Sequence, residues 1–358
     1  MARRRPPTPS DRSWPVHRDE FLNRIAAINV WRRGDSRAPH KPLLLLLALG
    51  RVAGGKSRLT SYGSVIEGDL KRLLKRFGRP RRTHHPAQPY ARLSKDGLWE
   101  VPGLETLSAG ASGIPSLRVL RGTSGGFPHS LYALLRGDPS LVEDAVQAIL
   151  DAHFPPSLHE DIREAVGLHD SAYPPLADGD EWSAEDLAVR EVSREVPWEV
   201  PREVPREVLR EPPRSRHPVA AAPRDPRFRH RVLRAYGRRC AVCGFDVRVE
   251  EQLLGLEAAH IKWHAAGGPD TEPNGLALCS FHHKALDVGA LGLAPEGGGG
   301  LAVLISSEVH GQSAAMRQLL DYRGAPLRAP QSAEQSPAPE YVTWHREEVF
   351  REPAYGRP

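Results

Sequence analysis

Apolar and polar positions repeat with a helical period in several stretches of the first half of the chain. In "DEFLNRIAAINVWRR", one helix face carries Phe21, Leu22, Ile25 and Ile28. "SVIEGDLKRLLKRFG" predicts a second amphipathic helix, whose polar face carries Lys71, Arg72, Lys75 and Arg76. "PSLVEDAVQAILDAHF" predicts a third helix, which begins at Ser140.

The longest apolar run, "PLLLLLALG" at residues 42–50, follows prolines that suit the start of a helix. Because the run is far shorter than a membrane span, it predicts a buried helix. Short strands are expected at "GLWEV" and "SLRVL", and a glycine-rich turn within "RGTSGGFPHSLYALL". Residues 15–171 are therefore predicted to form a mainly helical domain.

The pattern changes twice further along the chain. From Arg190 the sequence repeats every four residues, as REVS-REVP-WEVP-REVP-REVL-REPP, and the recurring proline blocks a continuous helix. We expect residues 172–225 to be a semi-extended, solvated linker, with a partner-binding repeat as the alternative. Residues 226–312 open with the helix "RFRHRVLRAYG" and continue as Cys- and His-bearing turns, which predicts a second domain and an α+β fold overall. Residues 313–358 are expected to be a loose tail with one short helix.

Composition adds weaker constraints. The chain has 358 residues, a formal net charge of +5 and a pI of about 9.2, which favours acidic partners such as nucleic acid. The basic start, "MARRRPPTPSDRSWP", has no apolar run behind it and does not resemble a signal peptide. All three cysteines lie in one C-terminal segment, so we expect a reducing, cytoplasmic location, no disulfide framework and no membrane partner.

These cysteines have the spacing of a metal site. Cys240 and Cys243 form a Cys-x2-Cys knuckle, and Cys279 with His282 repeats that spacing. Two such half-sites supply the four ligands of a tetrahedral structural Zn2+. The alternative is three unrelated thiols in cores and turns.

A further set of residues surrounds this knuckle. The stretch "LEAAHIKWHAAGGPDTEPNGLALC" and the following "FHHKALDVG" bring His260, Asn274 and His283 in order along the chain. The arrangement resembles the HNH endonuclease family, and most closely its subgroup in modification-dependent restriction enzymes, with "AAHI", "NGL", "HH" and "LDVG" motifs. The resemblance implies a ββα-metal fold, in which a hairpin and a helix hold one divalent ion against the scissile phosphate.

The same resemblance implies the role of each residue. His260 is expected to be the general base, Asn274 to fix the hairpin, and His283 to bind a catalytic Mg2+ or Mn2+. Many family members have Asp or His just before the base, where this chain has Ala259. Glu257 or His264 is left as the replacement ligand. The alternative is a zinc-stabilised DNA-binding module without catalysis.

Three motifs of the first domain resemble the sulfur-binding domain of phosphorothioated-DNA-dependent (McrA-type) restriction endonucleases. They are "INVWRRGDSRAPHKPLLLLLALG", "RRTHHPAQPYARL" and "SGGFPHSLYALL". The resemblance implies binding of double-stranded DNA in which sulfur replaces one non-bridging phosphate oxygen. Since sulfur is large, soft and a poor hydrogen-bond acceptor, a small apolar cup bordered by cations would suit it.

The resemblance places this cup at the loop of residues 127–131 and a nearby basic loop. The loop supplies Phe127, Pro128, His129, Ser130 and Leu131, with Phe127, Pro128 and Leu131 as apolar walls. The basic loop supplies Arg82, His84 and His85, in a register that the sequence leaves open. Flanking phosphates are assigned to His40, Lys41, Arg32 and Arg33.

Together the two resemblances imply a type IV, modification-dependent restriction endonuclease that cleaves near a phosphorothioate. A homodimer is expected, because cutting both strands requires two nuclease sites. The alternatives are an HNH enzyme that reads methylated DNA, which would need a base-flipping pocket, and a non-catalytic zinc-containing DNA-binding protein.

Overall fold

The computed structural model describes residues 17–28, 30, 36, 39–107, 113–168, 225–297 and 299–356. The predicted linker lies outside these residues except for Asp225, and so do Arg32 and Arg33. The described parts form one compact unit.

The N-terminal half of this unit is mainly helical. Its helices are α1 (Arg18–Ala26), α2 (His40–Ala53), α3 (Glu67–Phe77), α4 (Ala87–Arg92), α5 (Leu117–Leu120), α6 (His129–Gly137), α7 (Pro139–His153) and α8 (His159–Ala165). A π-helical turn, Tyr62–Ile66, runs directly into α3. Two short strands, β1 (Thr60–Ser61) and β2 (Ser124–Gly125), pair antiparallel.

The leucine-rich helix α2 lies at the centre of this half, as its apolar run predicts. Leu43, Leu46 and Leu49 are completely buried, and α3, α4, α6 and α7 pack around the helix. An apolar sequence without a polar face suits a helix that is covered on all sides.

Two local predictions for this half are wrong. "SLRVL" forms the short helix α5 instead of a strand, because the Ser116 hydroxyl accepts a hydrogen bond from the Val119 amide and caps it. Helix α7 begins at Pro139, one residue before Ser140, because the Asp138 carboxylate caps the Leu141 amide at 3.1 Å. In "GLWEV", Glu100 forms an isolated bridge with Gly126.

The C-terminal half is built from helices and hairpins. Its helices are α9 (Phe228–Ala235), α10 (Ser280–Asp287), α11 (Ala314–Asp321) and α12 (Pro339–Glu348). Its antiparallel strand pairs are β3 (Arg248–Val249) with β4 (Gln252–Leu253), β5 (Leu256–His260) with β6 (Gly275–Cys279), and β7 (Leu291–Pro295) with β8 (Leu301–Ile305). Helices α9 and α10 both pack on the β5–β6 hairpin, which gives the ββα arrangement.

The prediction of a loose C-terminal tail is wrong. Helices α11 and α12 lie in this segment, and their residues Leu319 and Val342 belong to the same hydrophobic core as the β5–β6 hairpin. Phe350 is 1% exposed. Burial of these apolar side chains stabilises the segment against the domain, which a low density of apolar residues in its sequence concealed.

Candidate functional site

The four predicted zinc ligands meet at one point. The ligand atoms of Cys240, Cys243, Cys279 and His282 all lie within 4.8 Å of one another. The knuckle turn places the first two thiols, and the junction of β6 with α10 places Cys279 and His282. Cys279 Sγ lies 3.2 Å from His282 Nδ1 and 4.0 Å from Cys243 Sγ, and Cys240 Sγ lies 3.5 Å from His282 Nδ1.

These distances suit the edges of a tetrahedron around one ion, given bonds of about 2.3 Å to sulfur and about 2.0 Å to nitrogen. A hydrogen bond from the Cys279 thiol lowers the pKa of Cys240 to about 3, so that Cys240 is held as the thiolate that metals bind. The cluster can therefore hold a metal ion, and its three sulfur donors and one nitrogen donor suit such an ion.

His260 stands at the end of β5 with its ring fixed on two sides. Its Nε2 lies 2.7 Å from the Asp270 carboxylate, and its ring stacks on Phe228 with centroids 4.1 Å apart. Burial alone raises the pKa of Asp270, but hydrogen bonds from the Asp225 amide and from His260 outweigh it and lower the pKa overall. The ionised carboxylate then keeps the proton on Nε2, which leaves Nδ1 as the basic nitrogen of His260.

Asn274 closes the turn that follows His260. Its Oδ1 accepts a hydrogen bond from the Lys262 amide at 2.8 Å, and its Nδ2 donates to the carbonyls of Lys262 and Pro269. The residue is completely buried. Gly268 makes this fit possible, since a Cβ there would stand 1.8 Å from the Lys262 carbonyl oxygen.

His283 lies on α10, beside the metal cluster, between two carboxylates. Nδ1 is 2.6 Å from Glu257 and Nε2 is 3.3 Å from Asp287. Burial alone would lower the pKa of His283, but the hydrogen bonds and charges of Asp287 and Glu257 outweigh it and raise the pKa to about 9. His260, His283, Glu257, His264 and Asp287 line one cavity.

Two carboxylates of this cavity were missed by the sequence reasoning. Asp270 holds His260, and Asp287 lies one helical turn after His283, a spacing that places both on the same helix face. The "LDVG" motif contains Asp287, so the i,i+4 spacing from His283 was the available signal. Both candidates for the second catalytic ligand, Glu257 and His264, lie at the cavity, and Glu257 contacts His283 directly.

In the N-terminal half, part of the predicted basic set gathers at the start of α2. Burial and, to a smaller extent, the nearby charges of Arg81, His84 and His85 together lower the pKa of His40 to about 4. Arg82 and His85 are exposed. Lys41 differs from the others, because its ammonium is paired with Asp96 at 2.6 Å.

The loop of residues 127–131 is only partly as predicted. Phe127 is 2% exposed and packs edge-on against Trp99 and Phe21, and Leu131 is completely buried. The expectation that both wall an exposed cup is therefore wrong, because their side chains complete the core. Pro128 is buried with them, whereas His129 is exposed and Ser130 half-buried.

This loop and the basic set contact different residues around α2. Arg58, shortly after the end of α2, donates to the Phe127 carbonyl at 3.1 Å, and Tyr132 donates to the Lys56 carbonyl. His40 is the first residue of that 14-residue helix. At 1.5 Å per residue the helix is about 20 Å long. The described contacts thus link the loop to residues 56–58, and they link the basic set to His40.

Comparison with protein families gives two matches. Residues 18–171 match the family described as "ScoMcrA-like, DNA sulfur-binding domain", and residues 240–294 match the family described as "HNH endonuclease". The chain thus combines a DNA sulfur-binding domain with an HNH endonuclease domain, and it is a DNA endonuclease. The predicted fold class and both resemblances are confirmed. None of the curated proteins matches the chain.

Several solved structures are similar to parts of the chain. The sulfur-binding domain of ScoMcrA complexed with phosphorothioated DNA is 26% identical, with a TM-score of 0.37, and the match covers 42% of this chain and 96% of that one. The corresponding SprMcrA complex is 24% identical, with a TM-score of 0.35, and the match covers 42% and 94%. The type IV phosphorothioation-dependent restriction endonuclease ScoMcrA is 17% identical, with a TM-score of 0.36, and the match covers 89% and 87%.

Within the described ranges, no helix has both the length and the apolar character needed to cross a membrane.

Proposed function

We propose that this protein binds double-stranded DNA carrying phosphorothioate linkages through residues 15–171 and hydrolyses phosphodiester bonds nearby through residues 226–312. The observation that carries the proposal is one cavity, next to a Cys3His cluster, that is lined by His260 at the end of a hairpin strand and by His283 on a helix. A merely structural zinc module has no need of an oriented His260 and two added carboxylates.

In the proposed reaction, His260 removes a proton from the attacking water. Phe228 and Asp270 fix the ring of His260. Because Asp270 binds the Nε2 side of the ring, the basic Nδ1 lies on the other side, where it can accept the proton. Asn274 holds the turn that carries these groups, so it acts as a positioning residue.

We assign the catalytic divalent ion, Mg2+ or Mn2+, to His283, with Asp287 and Glu257 as the further oxygen donors. When bound, this ion stabilises negative charge on the phosphate and the leaving oxygen. We assign a structural Zn2+ to Cys240, Cys243, Cys279 and His282, because three thiolates and one imidazole form a donor set that zinc prefers.

The N-terminal assignment rests on the family match and on the basic group at the start of α2. We propose that Arg82, His84, His85 and His40 contact phosphates, and that His129 and Ser130 face the modified linkage while the buried Phe127, Pro128 and Leu131 shape and support their loop. Lys41 serves its ion pair with Asp96 and orders the same region. We further propose a homodimer for double-strand cleavage and a cytoplasmic location, in which the three free cysteines stay reduced.

A plasmid assay tests this function. The wild-type protein with Mg2+ or Mn2+ is expected to nick phosphorothioate-containing plasmid and to leave matched unmodified plasmid largely intact. His260→Ala should lower the nicking rate by about 10^2- to 10^4-fold, the range for removal of a general base. Its affinity for modified duplex should stay within about twofold, because recognition lies in the other domain. Near wild-type nicking by His260→Ala, or equal nicking of both plasmids by wild type, would contradict the proposal.

A further inference from the structure

The nuclease cavity has a wall that belongs to the sulfur-binding domain. Pro155, Pro156 and Ser157, in the turn between α7 and α8, line the same cavity as His260 and His283. The cavity has a volume of about 390 Å³. The domain that reads DNA therefore touches the site that cuts it.

Polar contacts hold this wall in place. The Ser157 hydroxyl donates to the Asp287 carboxylate, and the Lys284 ammonium donates to both the Ser157 carbonyl and the Asp161 carboxylate. Arg76, on α3, lies 3.7 Å from the same Asp161 carboxylate. Asp161 thus neutralises two cations from different domains at the edge of the nuclease cavity.

Further polar contacts cross this boundary. Arg351 donates to the carbonyls of Lys75 and Arg76 at 3.1 and 2.6 Å, and Arg79 pairs with Glu348 at 3.0 Å. The hydrophobic core of the C-terminal half consists of residues of that half alone. Interfaces without a shared apolar core are typical of domains that dock reversibly.

The size of the cavity bears on what can enter it. Small-molecule sites have volumes of about 300–1,000 Å³, and this cavity lies in that range. Duplex DNA, by contrast, presents a continuous backbone with one negative charge per about 1.7 Å of its axis. Movement of the wall formed by Pro155–Ser157 would widen this cavity for a duplex phosphate.

We propose that Lys284 and Arg76 form a binding position for a DNA backbone phosphate, and that Asp161 occupies this position in the free protein. A phosphate carries the same charge as the Asp161 carboxylate and more acceptor oxygens, so it can take over both cations. Once the phosphate draws Lys284 away, Ser157 loses the Lys284 contact as well and keeps only its bond to Asp287, so the wall is held less tightly and the nuclease cavity can open. This inference rests on the proposed function for its ligand, duplex DNA.

Binding measurements on the full chain test the phosphate position without requiring cleavage. Asp161→Asn, measured without a catalytic divalent ion, is expected to bind unmodified duplex about fivefold more tightly at low salt. It should also steepen the plot of log affinity against log salt by about one unit, the value for one added phosphate contact. Glu160→Gln is the matched control, since it removes the same charge from an exposed neighbouring position and should change neither quantity.

A double variant tests whether the added DNA affinity of Asp161→Asn depends on Lys284. In Asp161→Asn/Lys284→Gln the added affinity and the added salt dependence should both disappear, because the phosphate has lost its cation. If Asp161→Asn behaves like Glu160→Gln, or if its gain survives Lys284→Gln, the inference is overturned.

Nicking assays on the same samples separate this inference from the proposed function. Wild-type nicking of phosphorothioate plasmid with no special behaviour of Asp161→Asn overturns the inference and supports the function. Absence of nicking by every variant, together with a Lys284-dependent gain in binding, overturns the function and supports the phosphate position. If both hold, Asp161→Asn should also nick unmodified plasmid about tenfold faster than wild type, since the wall is already held less tightly.

Discussion

The two halves of the described chain position their candidate residues in different ways. The N-terminal half surrounds the buried helix α2, and its candidate DNA-binding residues stand partly on loops and partly at the starts of helices α2 and α6. The C-terminal half carries its candidate residues on a paired hairpin and on helix α10, which packs against it. The hairpin and the packed helix bring the C-terminal candidates to one cavity, whereas the N-terminal candidates are distributed over several elements.

The difference shows where each half obtains its rigidity. In the N-terminal half, rigidity comes from apolar packing, with Leu43 and Phe127 buried under the surface that would meet DNA. In the C-terminal half it comes partly from the four donors of the Cys3His cluster, two of which belong to the strand–helix junction that also carries His283. The N-terminal half is held by its core, and the C-terminal half by its core and by a cluster that can hold a metal ion.

Among these predictions, removal of a proposed zinc ligand should have the largest effect on stability and activity. The loss of structure should be confined to the C-terminal half. Cys279→Ser is expected to abolish zinc binding and nicking and to unfold the C-terminal half. Structural zinc contributes about 10–16 kcal/mol in small zinc domains, which equals or exceeds the stability of a typical domain. Elemental analysis and thermal unfolding measure these losses.

The N-terminal half serves as the internal control for Cys279→Ser. Its affinity for phosphorothioate duplex should stay within about twofold of wild type, because its core contains none of the zinc ligands. If Cys279→Ser keeps its full zinc content, or if both halves lose stability equally, the two halves do not differ in their dependence on the metal.

A change of pH should act on the N-terminal half through His40. The folded pKa of His40 is about 4, below the value of 6.5 expected in the unfolded chain, so the unfolded state takes up a proton first as the pH falls. The stability that His40 contributes is complete above pH 6.5 and is lost between 6.5 and 4, by about 2 kcal/mol after allowance for partial exposure.

His40→Gln isolates this contribution from other titrating groups. Urea unfolding of residues 1–170 at pH 7 and pH 4.5 should show a smaller loss of stability in the variant than in wild type. Identical pH dependence of the two proteins would show that His40 is not held neutral.

The smallest expected effects concern the choice of DNA. Pro128→Ala should reduce the preference for phosphorothioate over plain duplex by about tenfold, because Pro128 fixes the loop that places His129 and Ser130 toward the linkage, and an apolar loop leaves a phosphate oxygen poorly solvated. Arg82→Ala should weaken both duplexes about equally and lower the salt slope by about one unit, as expected for loss of one phosphate contact.

Binding titrations at two salt concentrations distinguish these outcomes. The contrast between the two positions fails if Pro128→Ala weakens both duplexes alike or if Arg82→Ala changes the preference for sulfur. Equal binding of both duplexes by wild type would instead favour a reader of methylated DNA.

Sequence reasoning succeeded best where chemistry restricts the spacing of residues. The Cys3His cluster followed from two short half-sites, since one ion demands four donors at fixed distances. Asp270 escaped detection because its contact with His260 depends on the path of the turn closed by Asn274, and no local pattern encodes that path.

For the N-terminal half, the sequence was less informative about the candidate site. An apolar residue in a loop suits both a ligand cup and a core, and the sequence of residues 127–131 does not distinguish them. The structure assigns Phe127 to the core, because its ring packs against Trp99 and Phe21, which are distant along the chain. The C-terminal tail was misjudged for the same reason, since its few apolar residues are those that pack.

The adjacency of His282 and His283 has a consequence for the cell that makes this enzyme. The backbone that places the first imidazole in the metal cluster also places the second in the nuclease cavity. Ordering of the proposed Zn2+ cluster and ordering of the nuclease cavity would therefore be one event. If a newly synthesised chain lacks this metal, we expect its cavity to be unordered as well, so the supply of the metal would set how much of the enzyme is active.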